Sequence, residues 1–253
     1  MKDLLDASLA DVEKHEDFIF LAVPGAETET PAVLQALVAL FMDIHQASGG
    51  VWPVLRANKS ALRDRVCDWV KYRYAGADIA AFVIYAPDNT PSELIGAGCL
   101  KSLARESDTQ RDYWNGGLID AIRSRKKERA SQLAFLHRTG LPLEAHEHEM
   151  QKQRLSEERW VINPDKTATL HSGGISPRWR RKGLGQRLLH FRKKVSHQYL
   201  QKAVLFNVIA DEAATKPAIA LYQKEKALFL GNHCDGKKQP RYEMELYAFP
   251  FQT

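Results

Sequence analysis

The stretch Gly173-Gly174-Ile175-Ser176-Pro177-Arg178-Trp179-Arg180-Arg181-Lys182-Gly183-Leu184-Gly185-Gln186 carries the densest signal in the chain. It joins a strand-like run at 167–175 to a helical pattern from 184 to about 199. That pattern sets Leu184, Leu188, Leu189, Val195 and Tyr199 on one face. Gly183 and Gly185, one residue apart, let the backbone approach a ligand closely. The start of the helix presents N–H groups outside its own hydrogen-bond ladder and the positive end of its dipole. Such a turn suits a phosphate or pyrophosphate. The local charge agrees. Between positions 176 and 202 the chain carries Arg178, Arg180, Arg181, Lys182, Arg187, Arg192, Lys193, Lys194 and Lys202 and no Asp or Glu, so the fixed field favours an anion.

Other phosphate-binding patterns fit less well. GxxxxGK[ST] is absent, which excludes a Walker loop. Gly96-Ala97-Gly98 follows a strand-like run, but position 101 is lysine, so the dinucleotide fingerprint fails and the glycines read as relief of crowding within a strand.

Working outward, the apolar run at 18–23, stopped by Pro24-Gly25, reads as a first buried strand after an N-terminal helix or arm at 1–16. Thr30-Pro31 opens a helix with a cap followed by proline, and Ser48-Gly49-Gly50 closes it. A second helix is expected over 59–74 and a hairpin from 79–86 and 92–100. Residues 104–166 are charged, largely helical in composition and poor in strand signals, and read as a solvated helical insertion. After the 184–199 helix come a strand at 203–209, a helix at 215–226 with Thr215 as cap, and closing strands at 228–230 and 242–249 around a polar loop at 231–239. The order predicts α/β architecture, a mixed central sheet flanked by helices, as one domain over 1–253 with 104–166 inserted in it.

At these residues the sequence resembles the GNAT superfamily of N-acetyltransferases. The family's hallmark, [RQ]-x-x-G-x-[GA] preceded by V-x-P, is matched by Arg180 to Gly185 after Ile175-Ser176-Pro177. Its second signature, N-x-x-A-x-x-L-Y-x-K-x-G-F, is matched at Ala218, Leu221, Tyr222 and Lys224. Thr215 stands in place of the asparagine, and Lys226-Ala227 in place of Gly-Phe. The resemblance implies a GNAT-like fold and an acetyl-CoA or other acyl-CoA co-substrate, with no metal. It implies that the amides of Arg181, Lys182, Gly183, Leu184, Gly185 and Gln186 hold the CoA pyrophosphate. Arg180 and Thr215 stand beside the same cofactor, and Gly174 and Ile175 pair with its pantetheine arm.

Transfer of an acyl group from a thioester to an amine needs a neutral amine, a polarised carbonyl and a protonated leaving thiolate. Tyr222 matches the family's general acid. His171 stands where serotonin N-acetyltransferase-like members carry a histidine, and imidazole titrates near neutrality, so His171 is the candidate base. The family's more usual glutamate does not occur between 167 and 175. The resemblance also implies that the backbone N–H of Ile175 polarises the thioester carbonyl. The acceptor site usually involves the first helix–loop–helix and the last hairpin loop, which here are 48–53, with Trp52, and 231–239.

Composition bounds the rest. The chain has 253 residues with 44% hydrophobic and 26% charged, which excludes wholesale disorder. Three widely spaced cysteines, Cys67, Cys99 and Cys234, form no CxxC pair and argue against a zinc site or a disulfide framework. His146-Glu147-His148-Glu149 does not form HExxH, and on a helix its alternate residues face different sides. An acidic N-terminus without an apolar core and the absence of a long apolar run point to a cytoplasmic protein off the membrane. The net charge of +5 fits an anionic partner. An enzyme acting on a small or protein amine is favoured. A GNAT-fold protein acting on nucleic acid or tRNA through the basic run 123–129 and Trp114, Trp160 and Trp179, and a non-catalytic CoA-binding module, are the alternatives. The insertion's composition leaves a lid, a homodimer arm and a partner-binding surface open.

Overall fold

The strands of one half are apolar on both faces because helices cover both. The computed structural model describes residues 13–47, 58–88, 93–124, 143–145, 160–209, 216–234 and 243–249. The strands are β1 (Glu13–His15), β2 (Phe18–Pro24), β3 (Ile79–Tyr85), β4 (Glu93–Ser102), β5 (Leu143–Ala145), β6 (Trp160–Ile162), β7 (Thr167–Ile175), β8 (Ala203–Ile209), β9 (Leu228–Cys234) and β10 (Glu243–Phe249). The helices are α1 (Pro31–Ala47), α2 (Lys59–Val70), α3 (Asp108–Ser124), α4 (Leu184–Val195) and α5 (Lys216–Lys224). Eight strands follow the order β1-β2-β3-β4-β7-β8-β10-β9, and β5 pairs with β6 separately. β7 pairs with β8 in parallel, whereas β2–β3, β3–β4, β8–β10 and β9–β10 are antiparallel, so the sheet is mixed. Chain contacts divide the protein into two units, the described parts of Met1–Lys101 with Leu170–Val195, and those of Ser102–Thr169 with Ser196–Thr253.

In the first unit, Ile19, Leu21 and Val23 of β2 and Ala80, Phe82 and Ile84 of β3 pack with Leu37 and Phe41 of α1 and Leu62, Val66 and Val70 of α2. Phe20 faces the other way and meets Phe191 of α4, ring centroids 6.1 Å apart. Burial on both sides explains the unbroken apolar run of β2, where alternation would expose one face. Asn58 caps α2 by accepting from the N–H of Ala61, and a π turn, Lys71–Ala75, ends it. β1 is a short edge strand on β2 where the sequence read as a helix or arm.

In the second unit, α3 lies on β8, β9 and β10. Trp114 and Leu118 are buried with Leu205, Leu230 and Leu246. The insertion's first helix is therefore core and not simply a solvated excursion, and β5 and β6 are strands that its composition did not announce. β9 also continues through Gly231–Cys234, so a stretch expected as polar loop is paired with β10, and His233 is buried. After α5, the N–H groups of Lys226 and Ala227 return to the carbonyls of Gln223 and Tyr222, with Lys226 at φ 57. Lys226 thus holds a left-handed conformation natural to glycine. Replacing Lys226 by Gly should stabilise the protein by about 1 kcal/mol, because the left-handed cost to an L-residue disappears; the midpoint of urea unfolding measures it.

Candidate active site

The glycine turn sits where the sequence placed it, between β7 and α4. Its anchoring begins at Ser176, which donates its N–H to the Ile95 carbonyl (2.8 Å) and its hydroxyl to Oδ2 of Asp43 on α1 (2.7 Å). A single 3-10 turn, Pro177–Trp179, then swings the chain outward. Trp179 packs on Tyr85 (4.6 Å between centroids) and edge-on to Phe18 (5.6 Å), tying the turn to β2 and β3. Arg178 is ion-paired with Glu93. The Arg180 side chain folds back, with Nε donating to the Ile175 carbonyl at 3.2 Å. The Lys182 ammonium lies 4.7 Å from the centroid of the Trp179 ring. Several of the basic side chains therefore hold the turn itself.

Arg181 (φ 65) and Gly183 (φ 75) are left-handed. A Cβ on Gly183 would meet nothing within 4 Å, so this glycine answers to backbone conformation and not to crowding. The Gly183 carbonyl accepts the helical bond from the N–H of Arg187 (3.1 Å), which leaves the amides of Leu184 and Gly185 ahead of the helical ladder. Two left-handed residues before a helix start form an amide-lined concavity suited to phosphate oxygens.

The second feature is a left-handed residue within β7, Ser172 at φ 49. A Cβ on Gly173 would lie 2.5 Å from Nη1 of Arg192, which comes from α4, whereas one on Gly174 would meet Ile44 of α1. His171 meets Arg73 of the π turn, with Arg73 Nη1 3.0 Å from His171 Nδ1. Arg192 is 4% exposed, and its Nη2 donates to the carbonyls of Cys99 and His171, both at 2.6 Å. Gly98 and Gly173 make the slot for that guanidinium, since a Cβ on Gly98 would lie 2.6 Å from its Cζ. From the other face, Tyr74 donates its hydroxyl to the Ser172 carbonyl (2.7 Å), and the Cys99 thiol reaches the carbonyls of Arg73 and His171.

Of the residues read from sequence, the first unit brings together His171, Gly174, Ile175, Arg180, Arg181, Lys182, Gly183, Leu184, Gly185 and Gln186. Tyr222 lies in the second unit on α5, half-buried, its ring 4.6 Å from Phe206 and 5.9 Å from Tyr247. Thr215, Trp52 and His146–Glu149 fall outside the described residues. Trp114 is core and so offers no free face for a base. Sequence reasoning missed Asp43, Arg73 and Tyr74, and read Arg192 only as one of the cations favouring an anion, whereas it binds the Cys99 and His171 carbonyls. The one available signal was the Gly98 and Gly173 pair, which marks a place where two strands accommodate a bulky group.

No protein-family model matches the chain, and no curated protein matches it. Among solved structures, Arabidopsis thaliana NAA60 in complex with acetyl-CoA is 15% identical, covering 91% of this chain and 98% of that one at a TM-score of 0.49. RimL, the ribosomal L7/L12 alpha-N-protein acetyltransferase, in complex with coenzyme A, is 11% identical, covering 95% and 98% at 0.47. The Drosophila melanogaster polyamine N-acetyltransferase is 12% identical, covering 92% and 100% at 0.43. The fold is a mixed sheet flanked by helices, with a basic glycine turn between β7 and α4.

Two outcomes test the clamp. Gly98→Ala should cost about 1–3 kcal/mol by crowding the guanidinium. The cost should shrink in an Arg192→Met background, which a double-mutant cycle of urea unfolding reads. Burial raises the Tyr74 phenol well above its ordinary value, with Cys99 adding to the rise and Arg192 opposing it. The unfolded chain then releases this proton first, so stability present below about pH 10 is lost as the pH rises past it. Tyr74→Phe should flatten that alkaline loss in unfolding curves taken across the range.

Proposed function

We propose that this protein transfers an acetyl or other short acyl group from acyl-CoA to an amine acceptor by direct attack on the thioester. The observation that carries the reading is the turn from Ile175 to Gly185. Ser176 and Trp179 pin its base, and Arg181 and Gly183 turn its amides toward a helix start. Backbone amides there suit a pyrophosphate, while an exposed Arg181 and Arg187 add positive field. The V-x-P-like Ile175-Ser176-Pro177 and the Ala218, Leu221 and Tyr222 pattern support CoA as the bearer of that pyrophosphate.

In this reading the amine nitrogen attacks the thioester carbonyl carbon to form the C–N bond, the C–S bond breaks, the sulfur takes a proton, and the nitrogen releases one to solvent. The β7 backbone at Gly174 and Ile175 aligns the pantetheine arm, and the N–H of Ile175 polarises the carbonyl. Tyr222 supplies the proton to sulfur, its ring seated against Phe206 and Tyr247. The anionic partner that the net charge calls for is CoA itself, ahead of nucleic acid.

Titration calorimetry with CoA and acetyl-CoA tests the reading. Binding is expected, and Gly183→Val should weaken it at least about tenfold, because a β-branched residue resists positive φ. Absence of CoA binding at millimolar ligand would sink the proposal. Tyr222→Phe should retain CoA binding and lower kcat about 100-fold, the low end of what a general acid contributes; unchanged turnover would remove Tyr222 from that role.

A further inference from the structure

We propose that Arg73 holds His171 as the neutral imidazole with its proton on Nε2, so that His171 serves the acyl-transfer site as a hydrogen-bond donor and not as its base. The role in turnover rests on the acyl-transfer reading; the protonation state does not.

A guanidinium carries N–H donors only and has no lone pair to offer. It also stays charged at every pH a protein survives. With Arg73 Nη1 3.0 Å from His171 Nδ1, the imidazole nitrogen must be the acceptor. In a neutral ring the proton then sits on the other nitrogen, Nε2. Protonating Nδ1 would set two N–H donors of two cations against each other at that distance. Both partners are held in place. The His171 carbonyl accepts from Arg192 Nη2 (2.6 Å), and the Ser172 carbonyl from the Tyr74 hydroxyl (2.7 Å). The Arg73 carbonyl accepts from the Cys99 thiol, and its Cζ lies 5.3 Å from the centroid of the Tyr72 ring. Among the described residues, the titratable and charged groups that meet His171 and its backbone include Arg73 and Tyr74 from the π turn, Cys99 from β4 and Arg192 from α4. Lys101 stands further out over Tyr72. The guanidinium and ammonium groups among them add positive potential, which opposes an imidazolium at this point.

A histidine whose Nε2 is already protonated cannot take the proton of an incoming ammonium. In this scheme the acceptor amine arrives neutral and gives up its surplus proton to solvent after attack. The pH dependence of turnover should follow the amine's own ionisation. That favours weakly basic α-amines, near 8, over lysine amines, near 10.4. Arg73 is the positioning residue in this scheme, because it acts only through the ring it orients.

The deciding measurement uses the full chain labelled with 15N histidine, without ligand, in two-bond proton–nitrogen correlation spectra at neutral pH. His171 is assigned by the signal lost in His171→Gln. The expected pattern is an unprotonated Nδ1 and a protonated Nε2; a protonated Nδ1 or an imidazolium overturns the proposal. Arg73→Met should shift His171 away from that state, and Arg73→Lys, which keeps a donor, should restore it. In turnover of a panel of α-amino peptides and lysine analogues, Arg73→Met should lower kcat about tenfold while KM for acetyl-CoA holds. An acidic limb that follows an imidazole and vanishes in His171→Gln would show His171 to be the base. No turnover with any amine would overturn the acyl-transfer reading while leaving the tautomer assignment intact.

Discussion

A buried guanidinium between two strands organises the site half of this protein. Arg192 leaves the cationic face of α4 and enters the sheet, where its Nη2 spans the carbonyls of Cys99 and His171. A charge removed from water costs several kcal/mol unless hydrogen bonds replace its hydration. Here backbone carbonyls do so, and they are accessible only because Gly98 and Gly173 project no side chain into the slot. The same intrusion coincides with Ser172, whose left-handed φ a serine holds only when its surroundings insist. Tyr74, Cys99 and Arg192 supply that insistence from both faces.

Alternation along β7 sets Gly173 toward α4 and Gly174 toward α1, while His171 meets Arg73 of the π turn. The histidine is consequently presented to a guanidinium, and its chemistry follows from that neighbour more than from its own type.

The glycine turn shows a comparable division of labour. Read as sequence, its cations are all assigned to an anion. In the structure Arg178 binds Glu93, Arg180 reaches back to the Ile175 carbonyl, and Lys182 lies on Trp179. These contacts stiffen the turn, and the proposed acyl-CoA reading then assigns anion recognition to the backbone amides near Arg181 and Gly183. Preorganised amides bind an oxyanion without the rotamer entropy that long cationic side chains lose.

The sequence by itself determined the strand–turn–helix around Gly183, the strands β2, β3, β7 and β8, and the helices α1, α2, α4 and α5, because hydrophobic period, proline and glycine act locally. It was blind to β1, to the strand pair β5 and β6, and to the extension of β9 through His233. These are short or polar strands that exist only because a neighbour pairs with them. It also read α3 as solvated, since burial of Trp114 and Leu118 depends on the sheet beneath them. Only the tertiary structure decided the roles of Asp43, Arg73 and Arg192. Asp43 and Ser176 are 133 positions apart, and Arg73 and His171 98 apart. No local pattern encodes such a meeting. It arises when helices pack on the sheet and bring together side chains that the chain order keeps separate.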